Sequence, residues 1–244
     1  AGPQAILYDV AFEGNRALTE AELLAETQLD VGEAVSTTAL EAARRRLLDR
    51  YADEAYAFAE VDTELELSPD GTRAHVRFSI SERDPVRISQ IVVRGARRTR
   101  ESLIRKRFAF APGDLYRRGA ARRTQEQIET LGAFTSVAVA LEDPNVPAKE
   151  KVVVVTITER MPQYVDAKGG FSTGEGFRVG FEYGHRNLGG DAIQLVVRAQ
   201  LGLRPAEFIF EDDVRRKYQA LSFEELLERR NTLTVTFPDV GLGP

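Results

Sequence analysis

The stretch from Gly176 to Gly202 reads GFRVGFEYGHRNLGGDAIQLVVRAQLG. Its odd-numbered positions are mostly apolar, whereas its even-numbered positions are mostly polar or glycine. Such alternation is typical of β-strands, because successive side chains point to opposite faces of a sheet. The glycine-rich segment Asn187–Asp191 interrupts the alternation and indicates a turn. The stretch therefore predicts a β-hairpin with one apolar face and one polar face.

The same alternation continues on both sides of this hairpin. It predicts four strands, at Tyr164–Ser172, Phe177–Arg186, Ala192–Leu201 and Asn231–Phe237. A short turn is predicted at Thr173–Gly176. The longer segment 203–230 predicts a partly helical loop, because Ser222 and Glu225 have the spacing of a capping box.

Alternation alone leaves two architectures open for this segment. A soluble sandwich or barrel packs its apolar face inward, whereas a membrane barrel turns that face outward to lipid. The predicted runs are close to the roughly 9–11 residues of a tilted strand that spans a bilayer. Arg178, Glu182 and Arg198 lie centrally on the polar face, where a water-filled lumen tolerates charge. These observations favour the membrane barrel.

Two copies of one unit precede these strands. Ile80-Ser-Glu-Arg83 matches Ile157-Thr-Glu-Arg160, and Val10-Ala-Phe-Glu-Gly-Asn15 matches Ile91-Val-Val-Arg-Gly-Ala96. The first copy has a capping box at Thr19 and Glu22, and a second helix is predicted to open at Thr38. The strands predicted in the two copies are Leu7–Glu13, Ala59–Leu67 and Ala74–Ser81, and Ile88–Arg94, Thr135–Leu141 and Val152–Glu159.

Each copy therefore has the element order β-α-α-β-β within about 75 residues. A unit of this order, repeated in tandem and ending in Glu-Arg, resembles the POTRA (polypeptide-transport-associated) domain. The following stretch GGFSTGEGFRVGFEYGHRNLGG is similar to the start of the barrel in outer-membrane insertases of the BamA/TamA type. The predicted fold class is α+β tandem POTRA domains followed by an antiparallel all-β segment, the first strands of a transmembrane β-barrel. The predicted domains are 6–83, 86–160 and 163–244.

The resemblance also implies what the chain lacks. Barrels of this family have sixteen strands, whereas four are predicted here. Four strands cannot close, and open strand edges are not viable in lipid. We therefore expect the remaining barrel strands to lie outside this sequence.

The resemblance implies a protein of the bacterial outer membrane, with POTRA domains in the periplasm, that assembles or inserts outer-membrane proteins. The expected partners are unfolded outer-membrane or secreted protein clients, outer-membrane lipid and accessory periplasmic subunits. Clients would bind by strand addition at exposed sheet edges. The edge positions predicted in the repeats are Phe58, Val61, Leu65, Phe134, Val137, Val139 and Leu141. The predicted first barrel strand supplies Tyr164, Val165, Asp166, Ala167, Lys168, Gly169, Gly170 and Phe171.

Composition argues against other classes of function. The 244 residues include no cysteine and two histidines, which disfavours a metal site. The segment 170–174 matches the G-x-S-x-G pattern of serine hydrolases, but a strand is predicted after it, where a hydrolase has a helix. We therefore expect no catalytic residue and no cofactor. Eleven Lys or Arg against two acids between Arg94 and Arg123 indicate a solvated face or a surface near lipid headgroups. Nucleic acid is not an expected partner, because no stacking aromatics are interleaved.

Two alternatives share this architecture in part. A translocator that exports one dedicated protein has the same POTRA domains and barrel, and a dedicated secreted substrate would favour it. A soluble periplasmic scaffold has the repeats without a membrane barrel, and solubility of the protein without detergent would favour it.

Overall fold

A computed structural model of the chain describes residues 5–172, 176–203 and 211–238. Its helices and strands follow one another in three groups, which correspond to the two repeats and the alternating segment. The predicted turn at Thr173–Gly176 lies outside the described residues except for Gly176, and so does the part of the long loop at 204–210.

The first repeat has the predicted order of elements. They are β1 (Ile6–Glu13), α1 (Glu20–Thr27), α2 (Thr37–Asp53), β2 (Glu60–Leu67) and β3 (Arg73–Ser81). β3 lies in the middle of a three-stranded sheet, parallel to β1 and antiparallel to β2. The predicted strands are confirmed to within one residue at each end.

The two helices of this repeat begin at different kinds of cap. At α1 the predicted capping box is present: Thr19 accepts from the Glu22 amide, and Glu22 accepts from the Thr19 amide. The predicted start of α2 at Thr38 is wrong. Helix α2 begins at Thr37, because the Ser36 side chain accepts a hydrogen bond from the Ala39 amide at 3.1 Å and acts as the N-cap.

One face of α2 closes the core of the first repeat. Its buried residues recur at helical spacing, which places them on the side that faces the sheet. They pack with the inward side chains of all three strands, such as Phe12 on β1, Val61 on β2 and Phe78 on β3. The buried residues of α2 are Leu40, Ala43, Leu47 and Tyr51.

The second repeat follows the same plan. Its elements are β4 (Arg87–Arg94), α3 (Glu101–Arg105), α4 (Arg118–Glu129), β5 (Phe134–Leu141) and β6 (Glu150–Glu159). β6 occupies the middle of its sheet, β4 pairs parallel to it, and β5 lies at the other side. The tandem α+β prediction is therefore confirmed.

A glycine turn after the first strand recurs in both repeats because two conditions exclude other residues there. Gly14 and Gly95 have positive φ angles of 86° and 92°. A Cβ at Gly14 would overlap the carbonyl oxygen of Ile80, and one at Gly95 would overlap that of Ile157. In each repeat the turn therefore packs directly on the backbone of the central strand.

The alternating segment forms one antiparallel sheet. Its elements are β7 (Gln163–Ser172), β8 (Gly176–Leu188), β9 (Ile193–Leu203), α5 (Asp212–Gln219), α6 (Phe223–Leu226) and β10 (Leu227–Thr236). The strands lie in the order β10-β9-β8-β7. The loop before β10 is partly helical, as predicted, and the capping box of Ser222 and Glu225 is present.

The fourth strand is longer than predicted. It starts at Leu227, where the sequence predicted Asn231. Leu227 pairs with Leu203 and every residue to Thr236 continues that register on β9. Backbone pairing with a neighbour therefore extends the strand through Arg229 and Arg230, which were predicted to lie in the loop.

Two compact units emerge from the contacts within the chain. The first comprises Ala1–Arg94, Phe108–Glu126 and Ala138–Thr156, and the second Gly95–Arg107, Gln127–Val137 and Ile157–Pro244. In the first unit, α2 of the first repeat meets the start of α4: Asp53 accepts from the Gly119 amide at 2.7 Å, and Asp49 pairs with Arg118. Among the described residues, no helix has the length and apolar character needed to cross a membrane.

We expect Gly95→Ala to lower the free energy of unfolding by more than Gly113→Ala. Gly113 has nearly the same φ, 94°, but no atom lies within 4 Å of the position that its Cβ would occupy. The control therefore carries only the strain of positive φ, about 1–3 kcal/mol, whereas Gly95→Ala adds the overlap with Ile157. Urea unfolding of both variants measures the difference, and equal losses would contradict the close approach.

Candidate functional site

The edge strands of the two repeats leave backbone groups without partners inside the repeat. β2 forms one edge of the sheet β1-β3-β2, and β5 forms one edge of the sheet β4-β6-β5. A strand that pairs on one side only presents alternate N–H and C=O groups on the other side. Both strands are therefore geometrically able to accept a further strand.

The residues predicted for these edges differ in exposure. Most of them point into the core of their repeat, and Leu65 is the one large exposed side chain, at 47% of its surface. Phe58 precedes β2, which begins at Glu60, and is half-buried. Val139 is half-buried as well. The buried residues are Val61, Phe134, Val137 and Leu141. A strand added at these edges would therefore meet backbone atoms and the outward-facing side chains, and client binding by these residues stays a prediction.

The predicted first barrel strand is the edge of the four-stranded sheet. β7 pairs with β8 from Gln163 to Ser172, and among the described residues no strand pairs with its other side. Gly169 and Gly170 lie in its second half, and no atom lies within 4 Å of either Cβ position. At these two positions β7 has no side chain that packs on β8, because glycine contributes no packing.

One face of this sheet is apolar and exposed. Register places Phe181 between Ala167 on β7 and Ala199 on β9, and Val197 between Tyr183 and Leu233. At the far end, the rings of Phe171 and Phe177 lie 4.7 Å apart. The exposed large side chains of this face include Val165, Phe171, Phe177, Val179, Phe181, Val197, Leu201, Leu233 and Val235. No element among the described residues covers this face, and nine large apolar side chains exposed together are unusual on a soluble protein.

The opposite face is concave, charged and hydrogen-bonded. Glu182 lies at its centre, where its two oxygens accept from the Tyr164 hydroxyl at 2.7 Å and from Arg198 Nε at 2.6 Å. Lys168 pairs with Asp166 at 2.9 Å, and both residues lie on the neighbouring strand β7. The concavity has a volume of about 830 Å³. The pattern of one apolar and one charged face fits a sheet between hydrocarbon and water.

In the second unit, a glutamate at the end of β6 holds the loop Ala96–Thr99 in place. Glu159 accepts from the backbone amides of Arg97, Arg98 and Thr99 at 3.2, 2.9 and 2.8 Å. Glu82 holds the corresponding loop of the first repeat through the amides of Arg16 and Ala17. The two repeats end in Glu-Arg, and in each the glutamate therefore holds the loop that follows the first strand of its repeat.

This anchored loop contacts the turn between β8 and β9. The Arg100 amide donates to the Gly190 carbonyl at 3.0 Å, and its guanidinium pairs with Asp191 at 2.7 Å. Asn187 Nδ2 donates to the Thr99 hydroxyl at 2.9 Å. Gly190 lies so close that a Cβ would meet the Arg98 carbonyl oxygen at 2.6 Å. The second repeat and the sheet are thus joined by side-chain and backbone bonds within one unit.

Sequence reasoning missed this junction, although one signal was present. Thr99 stands where the first repeat has Leu18, and both side chains are buried, at 5% exposure. A hydroxyl in place of a leucine requires a hydrogen-bond partner when it is buried. The exchange of Leu for Thr between the two copies therefore pointed to a polar contact that only the second repeat makes.

Hydrogen bonding and burial act in opposite directions on the pKa of Glu159. Burial by itself raises the pKa of this carboxyl, but the hydrogen bonds from the Thr99, Arg98 and Arg97 amides outweigh it and hold the pKa below its ordinary value of 4.5. The anchored loop is therefore most stable when Glu159 is ionised. In the described part of the chain, no three His, Asp or Glu side chains cluster in a way that could hold a metal ion.

Comparison with protein families matches both repeats. The family described as "POTRA: Surface antigen variable number repeat" matches residues 6–83 and again residues 86–160. The two matches coincide with the two β-α-α-β-β groups.

Two curated relatives are outer membrane protein assembly factors named BamA. The protein of Nitratidesulfovibrio vulgaris is 26% identical over 212 residues, which cover 85% of this chain and 27% of that protein. The protein of Neorickettsia risticii is 25% identical over 154 residues, covering 63% of this chain and 20% of that protein. The chain thus spans about a quarter or less of the length of these relatives.

A solved structure shares the order of the three groups. The crystal structure of BamA from Haemophilus ducreyi lacking POTRA domains 1–3 superimposes with a TM-score of 0.66, over 83% of this chain and 40% of that one. Sequence identity is 14%, so this likeness concerns the fold. The tandem α+β repeats followed by an antiparallel sheet are therefore a known arrangement.

We expect acid to loosen the loop that Glu159 anchors. A carboxyl whose pKa is depressed in the folded state contributes stability above its unfolded pKa, and this stability is lost as the pH falls through the folded pKa. Protection of the Thr99 amide from hydrogen exchange should therefore fall below pH 4.5. Glu159→Gln should remove this dependence.

The control for this experiment is Glu150→Gln, which alters an exposed carboxyl at the other end of β6. It should leave the acid loss of protection unchanged. Equal pH profiles for wild type and Glu159→Gln would contradict the anchoring role of the carboxylate.

Proposed function

The chain belongs to the POTRA family, and on this premise we propose that it is part of an outer-membrane protein assembly factor that binds unfolded client strands. Proteins of this type reside in the bacterial outer membrane with their POTRA domains in the periplasm, and this chain has the same location. Its relatives are not classical enzymes, and we propose that it acts by binding and insertion without a catalytic residue.

The observations that support the proposal are the position of β7 at the edge of the described sheet and its two glycines. Every second N–H and C=O group on the edge side of β7 points away from β8. In hydrocarbon each such group costs several kcal/mol if it finds no partner. A client strand that pairs with β7 satisfies its own backbone and that of β7 together, so the edge offers a route by which a strand can enter lipid.

The glycines make this edge exchangeable. Gly169 and Gly170 lack side chains that would pack across to β8, and glycine loses more conformational entropy than other residues when it is ordered. A strand bound beside them is held by backbone bonds with little side-chain packing. Client strands can therefore join and leave at a lower cost than at an edge with bulky side chains.

The repeats provide a second place for clients, at a different stage. Edges β2 and β5 lie on domains of the periplasmic part, where an extended client is still in water. Strand addition there relies on main-chain bonds, which depend little on the client's sequence. We propose that the repeats hold extended clients before β7 takes them up. Outer-membrane lipid would contact the apolar face of the sheet, and accessory periplasmic subunits would bind the repeats.

Val197→Arg should destabilise the protein in lipid, whereas Val196→Arg should be tolerated. These neighbours point to opposite faces: Val197 lies beside Tyr183 and Leu233, and Val196 lies beside Gly184 and Thr234. An arginine that faces hydrocarbon near the middle of a strand costs about 2–4 kcal/mol. Unfolding of the full-length protein in lipid vesicles measures both variants, and equal effects would argue against lipid at the apolar face.

The client edge is tested by single cysteines, which the chain allows because it has none of its own. Ala167→Cys on β7 should form a disulfide with a cysteine in a client strand during assembly. Ala199→Cys is the matched control, since Ala199 occupies the same row and face but lies on β9, which is paired on both sides.

Adducts at Ala167→Cys and none at Ala199→Cys would support the proposal. Equal yields at the two sites, or a complete absence along β7 while assembly proceeds, would refute the role of this edge.

A further inference from the structure

The two edges of the repeats differ in charge. On β2 the side chains that point away from the core are all acidic, and all are exposed. They are Glu60, Asp62, Glu64 and Glu66. β5 has no charged residue between Phe134 and Leu141, and its outward side chains include Ser136, Ala138 and Ala140. The comparison shows that charge is a property of one edge and is not required by the repeat fold.

Neighbouring arginines neutralise only part of this acidic row. Arg83 pairs with Glu60 at 2.6 Å. Arg77 on the central strand lies 3.5 Å from both Glu64 and Glu66, and it is also shared with Glu13 on β1. Asp62 has no ion-pair partner within the described ranges of the chain. The outer side of β2 therefore keeps a net negative charge.

Apart from Thr63, the inward side of β2 is apolar, and it is only partly covered. Val61 is fully buried, but further along the strand Leu65 and Leu67 are 47% and 57% exposed. Arg44 of α2 donates to the Val61 carbonyl at 2.6 Å and occupies that group. The open part of the edge thus begins after Val61, where the strand has acids on one side and uncovered leucines on the other.

We propose that this part of β2 selects extended segments in which Lys or Arg alternates with apolar residues. The inference rests on the proposed function, because it specifies which clients this edge takes. In an added strand, side chains on each face lie about 4.5–5.5 Å from those of β2. Basic residues then meet the acidic row, and the alternate apolar residues cover Leu65 and Leu67.

The same geometry excludes other strands. Acidic residues on the outer face would lie directly opposite Asp62, Glu64 and Glu66, and like charges at that distance repel. A neutral strand would gain the backbone bonds and the leucine contacts without the ion pairs. The two repeats therefore select clients differently, and β5 takes strands irrespective of charge.

The experiment uses fluorescent peptides of the length of β2 whose inward positions are identical and apolar. Their outward positions are all Lys, all Ser or all Glu. Binding to the chain in detergent is measured by fluorescence anisotropy, at low and at high salt. The Lys peptide should bind at least about tenfold more tightly than the Glu peptide, with the Ser peptide between them, and the difference should shrink in salt.

A variant that combines Asp62→Asn, Glu64→Gln and Glu66→Gln should abolish the preference for Lys. The matched control combines Asp30→Asn, Glu20→Gln and Glu33→Gln, which removes the same charge from exposed positions of the same repeat. It should keep the preference. A Lys peptide with N-methyl groups on alternate amides should lose binding, because strand addition needs the backbone bonds.

Each other outcome has a distinct meaning. Equal binding of the three peptides, lost on N-methylation, would overturn the charge selection and leave strand addition standing. Binding of the Lys peptide that N-methylation does not affect would refute pairing with the edge. No binding by any peptide, together with no client adducts at β7, would refute the proposed function itself.

Discussion

A strand at the edge of a sheet has backbone N–H and C=O groups that no neighbouring strand pairs with, and all three sheets of this chain have such strands. Each of the three sheets has an edge strand that is central to its proposed role: β2, β5 and β7. In water such an edge is tolerated, because solvent supplies the missing hydrogen bonds. In lipid it is not, since no solvent is present. In the repeats, an unpaired edge therefore favours the binding of an added strand only weakly. In the four-stranded sheet, the cost of unpaired backbone groups in lipid favours strand pairing strongly.

The repeats show how one fold is used twice with different edges. Both copies keep the glycine turn against the central strand and the glutamate that holds the following loop. These features maintain the fold, because they fix backbone geometry. The outward residues of β2 and β5 do not fix backbone geometry, and they differ between the copies. They are acidic on β2 and mostly small and neutral on β5. Thr99 in place of Leu18 is a second divergence, and it serves the contact with Asn187.

Much of this architecture was predictable because it is encoded by short-range patterns. Alternation located β7, β8 and β9 to within two residues at each end, and the repeated Glu-Arg endings aligned the two copies. The capping box at Thr19 was read correctly because it depends on two residues three positions apart. The start of α2 was misplaced, since Ser36 and Thr38 are both able to cap and only the backbone decides between them. The start of β10 was misplaced for a similar reason, because pairing with Leu203 overrides the polar character of Arg229 and Arg230.

By itself, the sequence determined the order of the elements, the repeat and the two-faced character of the final sheet, since these follow from periodicity along the chain. The tertiary structure established which strands lie at the edges, which had been expected only through the family resemblance, because strand order depends on contacts between distant segments. It also decided that Arg44 occupies the Val61 carbonyl, and that the turn at Gly190 meets the loop at Arg100. These contacts join residues that are far apart in sequence and share no local pattern, so they exist only once the chain has folded.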